Sequence, residues 1–106
     1  MTYDDFLSTL DQEGSPPHTW SIALRSLWYA KRDDWHAAHD LVNDLHTSDG
    51  SWVHAHLHRV EGDLGNAGYW YAKAGRPRRQ NHDDLDGEWE EITRNLLAEE
   101  NPSSTD

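Results

Sequence analysis

The segment Asp33–Leu45 (DDWHAAHDLVNDL) returns without gaps as Gly62–Ala74 (GDLGNAGYWYAKA), at an offset of 29 residues. Asp34 falls on Asp63, Trp35 on Leu64, Ala38 on Ala67, Val42 on Tyr71 and Leu45 on Ala74. The turn before each copy matches in kind, with Leu27-Trp28-Tyr29 over His56-Leu57-His58. A unit of this length made of two helical stretches cannot bury its apolar face alone, so copies stack as helix pairs. Such stacks commonly bind other molecules. The repeat therefore constrains the architecture strongly and says little about a reaction.

The rest of the chain continues the helical pattern. Tyr3, Phe6, Leu7 and Leu10 predict a helix over 3–12 that ends near Gly14. Ser15-Pro16-Pro17 breaks the chain, and Trp20, Ala23, Leu24, Leu27 and Trp28 then predict a second helix at about 17–31. Asp33 or Asp34 caps a third, with Trp35, Ala38, Leu41, Val42 and Leu45 as its apolar positions. Thr47–Gly50 reads as a turn and cap, residues 51–61 as a fourth helix, and 64–74 as a fifth that stops at Gly75. After a Gly/Pro loop over 75–81, Asp83 or Asp84 caps a last helix with Leu85, Trp89, Ile92, Leu96 and Leu97 on one face. Nothing alternates with period two. The expectation is an all-α chain of about six helices, one domain over 1–100, and a frayed polar tail at 101–106.

The two copies resemble tetratricopeptide-like repeats, carried by residues at about 20–77. Gly62-Asp63 matches the turn between the two helices of a pair, Ala38 and Ala67 the small residue of close approach, and Val42 and Tyr71 the large residue after it. Pro77 fits a repeat boundary. The period is 29 residues rather than 34, Asp33 stands where the turn glycine is usual, and His58 replaces the aromatic that Tyr29 supplies in the first copy. The resemblance implies antiparallel helix pairs in a compact right-handed stack, and a protein-interaction module whose partner is a protein, a peptide or a second copy of the chain. More loosely, the stretch from His54 to Tyr71 is similar to small bacterial proteins of uncharacterised role.

Composition narrows the partners. The net charge is −11 with histidines neutral, from 20 acids against 9 Lys and Arg, which repels phosphate backbones and argues against nucleic acid. No apolar run approaches the roughly 20 residues of a membrane span, and the first residues lack the basic and apolar parts of a signal peptide. With no cysteine there is no disulfide, thiolate ligand or thiol nucleophile. A cytoplasmic protein is the default expectation. No phosphate-cradling glycine loop or nucleophile motif marks an enzyme.

Eight histidines in 106 residues are the second anomaly. On a wheel of the fourth helix, Val53, Leu57 and Val60 share the core side, and Trp52, His56 and Arg59 the opposite side. By the resemblance, that opposite side lines a partner-binding groove with Ala23, Leu27 and Ala30, and an exposed Trp beside Arg is the composition of a hot spot. The competing expectation is that the first or last helix covers it and makes Trp52 core. His54, His58 and Glu61 form a flanking stripe. Two imidazoles one turn apart and a carboxylate a turn further on suit a divalent metal such as zinc, an alternative in a chain otherwise expected to hold no cofactor. His36, His39 and His46 on the third helix are read as solvent-facing. His82-Asp83-Asp84-Leu85-Asp86-Gly87 lacks the end residues of a calcium loop, and Arg76, Arg78 and Arg79 are expected to pair with local acids.

Overall fold

The computed structural model describes residues 1–79 and 83–100; the expected tail at 101–106 and the His82 position lie outside the described residues. Six helices follow one another: α1 (Tyr3–Gln12), α2 (Ile22–Lys31), α3 (Trp35–Val42), α4 (Ser48–Val60), α5 (Leu64–Ala74) and α6 (Leu85–Glu100). No strand occurs among the described residues. The chain is all-α, as its periodicity predicts, and none of these helices is long and apolar enough to cross a membrane.

Capping chemistry sets most boundaries. Thr2, Ser21, Asp34, Thr47 and Asp63 each accept a backbone N–H of the first turn. Two of these correct the expected limits. Ser21 rather than Pro17 starts α2, because its hydroxyl takes the Leu24 N–H while Trp20 closes a turn onto the Pro17 carbonyl. Thr47 takes the Gly50 N–H, so the stretch read as a turn before residue 51 is already the first turn of α4.

The 29-residue offset is present in the backbone itself. Asp33 and Gly62, one offset apart, are both left-handed, at φ 60° and 88°. Asp34 N–H reaches the Tyr29 carbonyl at 3.0 Å, and Asp63 N–H the His58 carbonyl at 2.9 Å. Asp34 and Asp63 then cap the next helix through Ala37 and Asn66. One helix thus ends and the next begins through the same hydrogen bonds in both copies, which is the Schellman pattern of a left-handed C′ residue. Asp tolerates this conformation better than most residues, which explains how Asp33 stands in for glycine. Gly62→Ala is therefore expected to cost about 1–2 kcal/mol in urea unfolding, whereas Gly65→Ala, inside α5, should cost nothing measurable.

Packing follows the pairs. α2 packs most extensively on α3 and α4 on α5, with Ala38 and Ala67 wholly buried at matching positions. α4 also touches α2, α3 and α6, so it runs through the middle of the molecule and every residue from Gly50 to Arg59 is buried. The apolar core gathers Phe6, Trp28, Leu57, Tyr71, Trp89 and Ile92 among others. Val60, expected in the core, is 38% exposed because α4 ends there. With so few aliphatic residues, indoles carry much of the burial, and their N–H groups are satisfied: Trp28 donates to Thr9, Trp35 to the Leu57 carbonyl and Trp89 to the Leu27 carbonyl.

Candidate functional site

Two polar clusters lie on opposite faces of α4, and burying them costs free energy unless each group finds a partner. The first joins α3 to α4. His39, His54 and His58 each bring one ring nitrogen into a group whose atoms all lie within 4.8 Å of one another. His39 Nε2 and His54 Nε2 stand 3.0 Å apart, and the His54 and His58 rings are stacked one turn apart with centroids at 4.8 Å. His58 donates from Nδ1 to Glu61 at 2.6 Å, which orients its ring and leaves Nε2 as its remaining donor atom. Indoles wall the cluster: Trp35 stacks on His39 with centroids at 4.7 Å, and Trp70 on His54 at 3.9 Å.

Electrostatics favour the uncharged form of His54 and His39. Burial, then the neighbouring His58 and His39, pushes His54 down to about 4, and burial with His58 lowers His39 too. A neutral imidazole is a lone-pair donor, the form a metal needs. His54 Nδ1 is buried without a hydrogen-bond partner. The cluster thus pays a desolvation cost that its own hydrogen bonds do not return.

The second cluster is organised by Glu88 of α6. Its carboxylate accepts from His56 Nδ1 at 2.7 Å, from Arg59 and from the Tyr71 hydroxyl, with Arg79 Nε at 3.3 Å. Glu88 and Arg59 are 1% and 0% exposed. Burial alone would raise the Glu88 carboxyl, but the hydrogen bonds from His56 and Tyr71 and the charges of His56 and Arg59 outweigh it and hold the group at about 2. Burial, followed by the Glu88 carboxylate, moves the Tyr71 phenol upward. Every donor here has an acceptor, so the cluster ties α4, α5 and α6 together.

These positions revise the sequence expectations. Trp52, His56 and Arg59 share one side of α4 as the wheel predicts, but α6 and the segment after α5 cover that side. Trp52 is 3% exposed beneath the Arg76 guanidinium, which lies 3.8 Å from its ring centroid. The exposed Trp–Arg pair expected at this face is therefore buried. His54 and His58 do converge, but Glu61 orients His58 instead of standing among the three clustered donors. The third member is His39, half-buried against His54 instead of solvent-facing. Its place was readable: it follows Trp35 by one turn. The apolar face of α3 centres on Ala38 and Val42, both fully buried, while Leu41 and Leu45 are only half-buried, and this turns His39 inward. His36 and His46 do remain exposed. Of the three arginines expected to pair with local acids, Arg79 pairs with Glu88 and Glu91, whereas Arg76 lies over Trp52 and Arg78 donates to the Leu64 carbonyl.

The chain matches no protein-family profile, and neither a curated protein nor a solved structure matches it significantly.

Proposed function

We propose that this chain is a small cytoplasmic metal-binding protein that holds a divalent ion such as zinc through His39, His54 and His58. The observation that carries this reading is the convergence of three imidazoles from two helices, His54 and His58 buried and His39 half-buried. A tetrahedral zinc ion with Zn–N bonds of about 2.0–2.1 Å sets its nitrogens roughly 3.3 Å apart. The His39–His54 pair, at 3.0 Å, is close to that spacing, and a side-chain adjustment brings in the third. Glu61 on His58 Nδ1 supplies the carboxylate–histidine support that metal ligands ordinarily carry. Three protein ligands leave one position for water or a small anion, the pattern of catalytic and exchangeable sites.

The repeat resemblance implied instead a protein-interaction or self-associating module, with Trp52, His56 and Arg59 in its groove. With Trp52 and Arg59 buried, the histidine cluster has the stronger support. Calorimetric titration of tag-free protein with Zn²⁺ tests the reading. One equivalent is expected to bind, and a hundredfold excess over Kd adds about 2.7 kcal/mol of stability. For a domain of this size that raises the melting temperature by roughly 10 °C or more. No saturable binding by zinc, copper, nickel or cobalt would remove the proposal.

A further inference from the structure

On the face of α4 turned away from the histidine cluster lies a cavity of about 370 Å³ between α2, α4 and α6. This is within the range of small-molecule sites. Its walls include Leu57 and the Trp89 indole, and its polar groups are His56 inside and Lys31, Asp33 and Asp86 around the mouth. We propose that this cavity binds a small organic amine with an apolar body and a hydroxyl at its far end, the hydroxyl hydrogen-bonded to His56 and the ammonium resting among Asp33, Asp86 and Trp89.

Three observations point to that chemistry. The first is the placement of His56. Its Nδ1 is held by the Glu88 carboxylate at 2.7 Å, so Nε2 is the other polar atom of a ring that lines the cavity and can meet a ligand hydroxyl. The second is an internal stand-in. The Lys31 ammonium sits 4.8 Å over the Trp89 ring and 3.6 Å from Asp86, which marks this corner as a place where a primary ammonium is stable. Lys31 is partly exposed on a flexible stem, so a ligand ammonium can take its position while Lys31 swings to water. The third is charge: two carboxylates stand against one ammonium at the mouth, on a protein of net charge −11, and the field draws cations toward it.

Isosteres of different charge test this. Tyramine, 4-ethylphenol and 3-(4-hydroxyphenyl)propionate share a phenol and differ in carrying a cation, nothing and an anion. Titrated into the metal-free full chain and followed by the ring resonances of His56, tyramine is expected to bind at least about tenfold more tightly than 4-ethylphenol, with the propionate weakest. Asp33→Asn with Asp86→Asn should erase the advantage of the amine with the melting temperature unchanged, since both side chains are exposed and Asn tolerates the left-handed backbone at residue 33. Lys31→Ala should tighten tyramine severalfold by removing its competitor. Equal or tighter binding of the propionate would overturn the inference, as would His56 resonances unmoved by millimolar tyramine. Neither result bears on zinc, because His39, His54 and His58 take no part in the cavity.

Discussion

Glu88→Ala is expected to remove a large fraction of the chain's stability at neutral pH. The substitution strips the acceptor from three buried donors at once: Arg59, wholly buried, His56 and the Tyr71 hydroxyl. Removing one partner of a buried ion pair costs about 3–5 kcal/mol because the other charge stays in the interior. A domain of this size has about 5–15 kcal/mol in total. Glu88→Gln keeps an acceptor oxygen for part of the network and should cost less, leaving a folded protein on which pH dependence can be measured. The carboxyl is held at about 2, below its ordinary value of 4.5, so its charged form is favoured in the folded state. Its contribution to stability is complete above about pH 4.5 and disappears as pH falls toward 2. Urea midpoints of the natural chain should decline through that window, and those of Glu88→Gln should decline less. Equal slopes would mean that the carboxylate is not the group holding α6 to α4.

The order of these effects shows what the sequence could and could not convey. Every helix was legible, because caps and breaks are local: Asp34, Asp63 and Gly75 act within a turn of their own position. The equivalence of Asp33 and Gly62 was legible as alignment, and the structure gives it a cause in shared left-handed geometry. Periodicity also sorted α4 correctly into faces. It could not show that all of those faces are covered, since which helix lies over Trp52 depends on how α6 returns after the loop. Neither Glu88 nor its role could be read in advance, because a carboxylate on an amphipathic helix looks like surface until its partners on α4 and α5 are known. His39 was misplaced for a smaller reason. Counting Leu41 and Leu45 as core rotated the inferred axis of α3 away from Trp35, and the histidine one turn beyond Trp35 rotated with it.

That correction makes the metal reading sharper to test than the sequence stripe allowed, because the stripe and the structure assign different roles to the same residues. If His39, His54 and His58 are the ligands, His39→Ala should weaken zinc by more than about 100-fold, the upper range for merely orienting groups. Glu61→Gln should weaken it by about 10–100-fold, since the amide still accepts from His58 Nδ1 but without charge. His36→Ala, on the same helix as His39 but exposed, should change nothing. The three variants also separate ligand loss from unfolding. His39 is only partly buried, so its removal leaves a folded protein, and circular dichroism should match the natural chain while the titration is flat. Were Glu61→Gln to abolish binding while His39→Ala left it intact, the ligands would be His54, His58 and Glu61, and α3 would have no part in the site. Indole fluorescence gives a second readout, because Trp35 stacks on His39 and Trp70 on His54 at centroid distances of 4.7 and 3.9 Å. An ion bound among those rings cannot leave both indoles undisturbed, so zinc should change the emission of the natural chain and fail to do so in His39→Ala.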